Sequence, residues 1–486
     1  MARNLALSFL FLAGTATCLD PSESLRPLHH EVDVAIVGAG LSGLAAGRAL
    51  QQANKKVMIL EARDRVGGRV ENFELRNGGV TELGAAFVGP TQDHVLALAD
   101  ELGLKVFKEY NSGDNVLAIQ GQQSTYPSAD GALPNIDVST TTAIASALGD
   151  LDTMAGTIDT SSPWSHANAT LWDSMTFQSW IDTNVKVDAV RDLFGVSSGT
   201  LFSATPGELS MLYVLAYIAG AGNETTPGSL QRLVSVVGGG QESRIVGGTG
   251  LLPTGLAEKI GSDSISLGSD VSSIVRGADS KYTVTTGKQT VVAKNVIVAM
   301  SPPLAARITY DPPLPASRDQ LTQRMFMGAL GKATAIYDRP FWRDANLTGQ
   351  VISDSGVVRT TLDVSPKNST YGAILGFIEA DEMRLYDAGD EQAIIDKVSQ
   401  DYVRYFGPKA ANATQWVIKR WDNEIWSRGG PVAVAGPGTI SKYGKALTEK
   451  VGGIHWAGTE ASDYWIGYMD GALRAGQRAA AAVLKE

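Results

Sequence analysis

The chain has 486 residues, with 41 Lys plus Arg against 51 Asp plus Glu, a formal net charge of −10, and 53 glycines against a usual share of about 7%. That charge excludes a basic nucleic-acid binder, and a lone cysteine, Cys18, excludes an intrachain disulfide framework. At 44% hydrophobic and 19% charged, the chain folds rather than staying disordered, with length for two or three domain-sized units.

The first element is a targeting pattern. One early cation, Arg3, precedes an apolar run from Leu5 to Ala13 and small residues up to Cys18. This reads as a secretory signal peptide over residues 1–18, since the run is too short to span a bilayer. Five Asn-x-Ser/Thr sequons follow, at Asn168, Asn223, Asn346, Asn368 and Asn412. Together they predict a glycosylated protein, secreted or held in the lumen of a eukaryotic secretory pathway. No later stretch has the roughly 20 apolar residues of a membrane anchor. The five histidines lack metal-ligand spacing, so no metal site is expected.

Residues 32–37 form a buried-strand pattern, followed by a glycine turn, a helical stretch Leu44 to Ala53 and a second strand Lys56 to Leu60. This is one βαβ unit. Further strands are predicted near Tyr282, at Asn295 to Ala299 and at Gly453 to Trp456, the last leading into a helix from Gly467 to Lys485. The fold class is therefore α/β. A Rossmann-like dinucleotide domain is assembled from residues 31–109, 243–318 and 424–486. An α+β substrate domain with a mixed sheet takes residues 110–242 and 319–423. The Ser, Thr, Gly and Asp-rich stretch 111–170 is expected to be surface structure.

The glycine turn is Gly38-Ala39-Gly40-Leu41-Ser42-Gly43, a G-x-G-x-x-G directly between strand and helix. The first glycine permits the tight turn, the second lets backbone approach a pyrophosphate, and the third lets helix and strand pack closely. The helix N-terminus offers free N–H groups to phosphate. Glu61 ends the second strand 18 residues beyond Gly43, where a carboxylate accepts hydrogen bonds from ribose hydroxyls. Ala62, Arg63, Gly67, Gly68 and Arg69 then supply cations and a second glycine pair that a plain NAD site does not require.

The run Leu60-Glu-Ala-Arg-Asp-Arg-Val-Gly-Gly-Arg69 resembles that of the flavin-containing amine oxidases. The resemblance continues at Glu82-Leu-Gly84-Ala85-Ala86-Phe87, at Arg244-Ile-Val-Gly-Gly, at Arg339-Pro-Phe-Trp342, and from His455 through Gly458-Thr-Glu460 to Ala472. It covers nearly the whole chain in order and is closest to the monoamine oxidases. It implies FAD, with Gly458, Glu460, Tyr468 and Met469 on the flavin side, Val271 at the adenine, and Trp421 in the flavin pocket. It implies Lys332 as the lysine beside flavin N5. Tyr468 matches one of two tyrosines that flank the amine, and Gln241 a pocket-lining glutamine. The family's cysteine and second tyrosine align with Gly430 and Pro431. Hence FAD is expected to be non-covalent and the aromatic cage half missing, with Trp465 either covering the gap or packing as a buried tryptophan.

The expected reaction moves a hydride from the carbon next to an amine nitrogen to flavin. Oxygen reoxidises the flavin, giving hydrogen peroxide and an imine or aldehyde. The partners are a small amine and O2, with a homo-oligomer left open. Two alternatives stand beside it: an oxidase or desaturase of a C–N-containing natural product, and a non-enzymatic binding protein on the same fold.

Overall fold

A computed structural model describes residues 28–128, 137–386 and 389–486. Strand Leu28–Val37 is the hub of an eight-stranded sheet. It pairs in parallel with Val57–Leu60 on one side and with Gln289–Ala299 on the other. Ile454–Ala457 adds in parallel to the far end of Gln289–Ala299, so three distant stretches of chain meet in one sheet. Period-two alternation sends Val34 and Ile36 to one face and Ala35 and Val37 to the other, and both faces are buried. Each such aliphatic side chain contributes roughly 1.5–3 kcal/mol on burial.

Helix Leu41–Gln52 starts at the glycine turn and packs against the last helix, Met469–Leu484. Glycine permits this approach: a Cβ on Gly476 would lie 2.1 Å from the Ser42 carbonyl oxygen. The Ser42 hydroxyl accepts a 2.8 Å hydrogen bond from the Gly458 N–H, which ties the two ends of the chain together at the glycine turn.

The second sheet has seven strands, in the order Gln415–Arg420, Leu330–Tyr337, Gly372–Glu379, Thr360–Asp363, Leu347–Ser353, Asp114–Ile119 and Gln122–Pro127. It is mixed, because Leu347–Ser353 and Asp114–Ile119 run parallel while the other pairs are antiparallel. A helical layer between Val138 and Val234 covers the cavity between the sheets. Among the described residues, no helix is long and apolar enough to cross a membrane.

Among its described residues, the stretch 111–170 is surface structure only in part. Val116, Leu117, Ala118 and Ile119 are buried strand residues. Ile144, Ala147, Leu151, Ala155 and Ile158 are buried in one hydrophobic cluster, spaced three and four apart along and just beyond helix Val138–Ala155. The polar composition of the segment belongs to the opposite face of that helix and to its loops. The signal-peptide assignment and Cys18 lie outside the described residues.

Candidate functional site

One cavity of about 840 Å³ runs from the glycine turn, between the two sheets, to the helical layer. Its dinucleotide end is lined by Gly38, Gly40, Leu41 and Ser42, then by Glu61, Ala62, Arg63, Gly68 and Arg69, and by Val271. Gly84, Ala85, Ala86, Phe87, Trp421, Gly458 and Met469 continue the wall toward Lys332, Tyr468, Gln241 and Pro431.

The glycines separate by what they face. A Cβ on Gly38 would lie 2.9 Å from the Ala299 oxygen, and one on Gly43 would lie 1.9 Å from the Gly38 oxygen. The protein's own packing requires glycine there. A Cβ on Gly40 would meet nothing nearer than the Gly67 oxygen at 4.0 Å. Its bare Cα faces open cavity at a helix N-terminus, where a pyrophosphate would sit. The buried Glu61 carboxylate accepts from the Ala39 and Arg63 N–H groups at 2.7 and 2.9 Å, which fixes it at the strand end with lone pairs left for a ribose. Arg63 is held by Ser427 at 2.8 Å, and burial lowers its pKa below the usual range; its Nε is buried without a partner. These residues fit FAD. When bound, that cofactor would supply the redox chemistry that the side chains of the wall lack.

Two residues expected at the ligand stand behind the wall instead. The Glu460 carboxylate turns away to Arg69, at 2.8 and 3.2 Å, and to the Ala433 N–H at 3.1 Å. A buried carboxylate needs donors, and these supply them. Trp465 is fully buried with its indole N–H on the Thr91 carbonyl at 3.1 Å. Its ring meets Tyr468 edge-on at 4.8 Å, so it backs the tyrosine rather than filling the missing half of the cage. Gly43 is likewise a packing glycine, absent from the cavity wall.

Lys332 is buried in strand Leu330–Tyr337. Its Nζ donates to the carbonyls of Glu82 at 3.0 Å and Gly84 at 2.7 Å. Burial pulls its pKa down to about 8, with Glu82 opposing and Arg244 reinforcing the shift. Beneath it lies a buried ionic cluster: Arg244 donates to Glu109 at 2.6 Å, to Glu82 at 3.3 Å and to the Ser365 carbonyl. Burial raises the Glu109 pKa to about 7. Burial also works against the Arg244 cation, but Glu109 and Glu82 outweigh it and hold its pKa above the ordinary value. The cluster fixes the backbone of Glu82, one of the two carbonyls that hold Lys332.

Tyr468 is buried, which raises its pKa and keeps the phenol neutral. Pro431 occupies the wall where the family's second tyrosine aligns. Tyr217, from the wholly apolar-flanked helix Met211–Ala219, stands beside Tyr468 with ring centroids 6.3 Å apart and also lines the cavity. Sequence reasoning missed it; an all-buried helix carrying two tyrosines was the available signal. Gln241 donates to the Leu233 carbonyl at 3.0 Å, while its Oε1 is buried without a partner. Lys332 aside, the charged residues on the cavity wall, among the described residues, are Glu61, Arg63, Arg69, Asp270 and Arg307, of which Arg69 reaches the Pro431 carbonyl at 2.7 Å.

The chain matches the family model of the flavin-containing amine oxidoreductases over residues 41–484, and it belongs to that family. It is 35% identical to a probable flavin-containing monoamine oxidase A of Dictyostelium discoideum, over 92% of this chain and 96% of that protein. Among solved structures it resembles cyclohexylamine oxidase from Brevibacterium oxydans, with a TM-score of 0.88 and 34% identity over 93% of this chain and 99% of the other. It resembles putrescine oxidase bound to putrescine equally well, with a TM-score of 0.88 and 31% identity over 94% and 100%. The protein is thus an FAD-dependent oxidoreductase acting on CH–NH2 groups. Gly430 leaves no thiol at the position the family uses for a cysteinyl tether, and the FAD is non-covalent.

Proposed function

We propose that the protein oxidises amines with one cationic centre and an apolar body, reduces O2 to hydrogen peroxide, and releases an imine that hydrolyses to the aldehyde or ketone. One observation carries the substrate class. Beyond Lys332, the substrate half of the cavity is walled by Ile144, Leu193, Leu201, Val236, Ile352 and Phe377, among others, with neutral polar groups and, among the described residues and apart from Arg69 at the Pro431 carbonyl, no carboxylate or guanidinium. A second ammonium or a carboxylate would enter without a countercharge, at a cost of several kcal/mol. The unpartnered Gln241 Oε1 offers the amine an acceptor.

The test is peroxide release from purified holoenzyme with phenethylamine, tyramine, cyclohexylamine, putrescine and leucine. Turnover of the singly charged amines is expected. Efficient oxidation of putrescine or leucine alone overturns this substrate class, and ordinary turnover of tyramine excludes a specialised natural-product oxidase.

We also infer a secretory route, on the strength of the N-terminal pattern and the sequons. Asn168, Asn346, Asn368 and Asn412 are exposed, whereas the Asn223 amide donates to Asp93 at 2.6 Å. N-terminal sequencing and endoglycosidase digestion of the native protein test it. A retained Met1 and an unshifted band overturn it.

A further inference from the structure

The cavity reaches the hairpin edge of the seven-stranded sheet, and its wall there is polar without being charged. Asn111, Asn115, Tyr126 and Ser128, on strands Asp114–Ile119 and Gln122–Pro127 and the residues flanking them, line it together with Gln350 of strand Leu347–Ser353. Asn115 and Tyr126 are paired directly across the hairpin, and both are more than nine-tenths buried.

The hydrogen bonds fix which way each amide points. Asn111 Nδ2 donates to the Ser128 carbonyl at 3.0 Å, so its Oδ1 is the end that accepts from Gln350 Nε2 at 2.7 Å. Gln350 Oε1 is thereby left without a donor among the described residues. The Thr348 hydroxyl accepts from the Gln350 N–H at 3.0 Å and donates to Asn115 Oδ1 at 2.6 Å. Asn115 Nδ2 therefore serves the Tyr126 oxygen, and that bond only partly offsets the rise in pKa that burial gives the phenol. The phenol stays neutral, and its own proton has no acceptor among the described residues. This edge of the cavity thus presents one free acceptor, Gln350 Oε1, and one free donor, the Tyr126 O–H.

Sheet register sets the distance from the chemistry. Lys332 pairs with Phe377, Phe377 with Thr360, Thr360 with Ile352 and Ile352 with Leu117, which makes one row across the sheet. Gln350 and Asn115 lie two residues before Ile352 and Leu117, on the same face, and Tyr126 continues their row. With strands about 4.8 Å apart, Gln350 stands roughly 14 Å from Lys332, and Asn115 and Tyr126 lie one and two strands further. Phe377, Thr360 and Ile352 line the cavity over that interval.

We propose that this edge is a second recognition point for the substrate, and that it takes a neutral group with both a donor and an acceptor, an amide or an alcohol, at the far end of a long primary amine. This rests on the amine-oxidase reading above. The amine stays at the Lys332 and Tyr468 end and an apolar chain crosses the interval. The terminal group donates to Gln350 Oε1 and accepts from the Tyr126 O–H. A hydrocarbon end in the same place would desolvate both groups and leave them unpaired, which a site built for hydrogen bonding resists. A terminal carboxylate or ammonium would find no countercharge on these residues.

Two measurements on the holoenzyme test this. The first compares straight-chain primary amines ending in a carboxamide with amines of the same shape ending in an isopropyl group, by peroxide release. With a spacer of about three methylenes the amide falls in the apolar interval and should be the poorer substrate. With about nine to eleven methylenes the order should reverse, the amide having a kcat/KM about tenfold higher. A hydrocarbon end that is better at every length, or an amide preference that does not change with length, overturns the proposal while the amine-oxidase reading stands. No turnover of either series or of phenethylamine overturns both.

The second repeats the long pair with Gln350→Leu and Tyr126→Phe. The ratio of kcat/KM for the two substrates is independent of how much enzyme folds, so a general loss of structure cannot imitate the effect. In each variant the amide preference should fall to about one or below, because each removes one of the two hydrogen bonds and leaves the other polar group facing a hydrocarbon neighbour. A ratio that stays at its wild-type value in either variant overturns the assignment of these residues.

Discussion

Arg69 grips the buried Glu460 carboxylate with two hydrogen bonds of 2.8 and 3.2 Å, and the same guanidinium donates to the Pro431 carbonyl at 2.7 Å. One side chain thus joins the first glycine-rich segment, the loop at the aligned cage position and the turn before the last helix. Removing the arginine leaves a carboxylate only 1% exposed with a single backbone donor. Arg69→Ala should therefore lose about 3–5 kcal/mol of stability, more than a surface ion pair would. Arg69→Lys should recover part of it without the paired geometry. Chemical denaturation of the holoenzyme, with flavin fluorescence reporting release, measures both.

The glycine turn gives a paired prediction. Gly43→Ala forces a Cβ within 1.9 Å of the Gly38 oxygen, so helix and strand must separate. That variant should be recovered poorly and unfold at a markedly lower temperature. Gly40→Ala meets no protein atom closer than 4.0 Å. It should fold with near-wild-type circular dichroism yet lose FAD on gel filtration, because its methyl group projects where the pyrophosphate must come. Equal folding defects in the two variants would refute the distinction.

That contrast also shows why part of the site was readable from sequence and part was not. The glycine turn and Glu61 lie within one βαβ unit, so spacing alone conveys their geometry. Tyr217, Gln350, Asn115 and Tyr126 come from one helix and three strands, and only sheet register and helix packing bring them to one cavity. No local pattern announces such a set. Glu460 was assigned to the flavin because the resemblance puts its turn there; which way a side chain points from a turn is decided by its partner, here Arg69. The buried face of helix Val138–Ala155 was legible in the spacing of Ile144, Ala147, Leu151 and Ala155, but the polar residues around them masked it.

Gly430 invites a gain of function. A Cβ there would lie 3.3 Å from Leu330 Cδ2 and 3.9 Å from Trp421 Cβ, so a small side chain fits with a slight adjustment of Leu330. The family aligns a tethering cysteine at this position. Gly430→Cys should yield protein whose yellow colour stays with the pellet after acid precipitation, whereas wild type releases all its FAD. Free flavin from both proteins would show that the cavity wall does not bring residue 430 to the isoalloxazine.

Lys332 supplies a prediction with a definite sign. Burial lowers its pKa to about 8, whereas in the unfolded chain it titrates at about 10.4. Between those values the unfolded state holds the extra proton. Stability from this group therefore rises with pH across that window and is withheld below it, by on the order of 3 kcal/mol in total. Lys332→Met cannot bind that proton, so the difference in unfolding free energy between wild type and variant should shift toward wild type as pH goes from 8 to about 10.4. The same variant should keep its FAD while slowing flavin reduction or reoxidation, since the Nζ held by the Glu82 and Gly84 carbonyls faces the cavity rather than the dinucleotide loops. Parallel stability curves for the two proteins would mean that Lys332 keeps an ordinary pKa. Unchanged rates in both half-reactions would remove it from the chemistry.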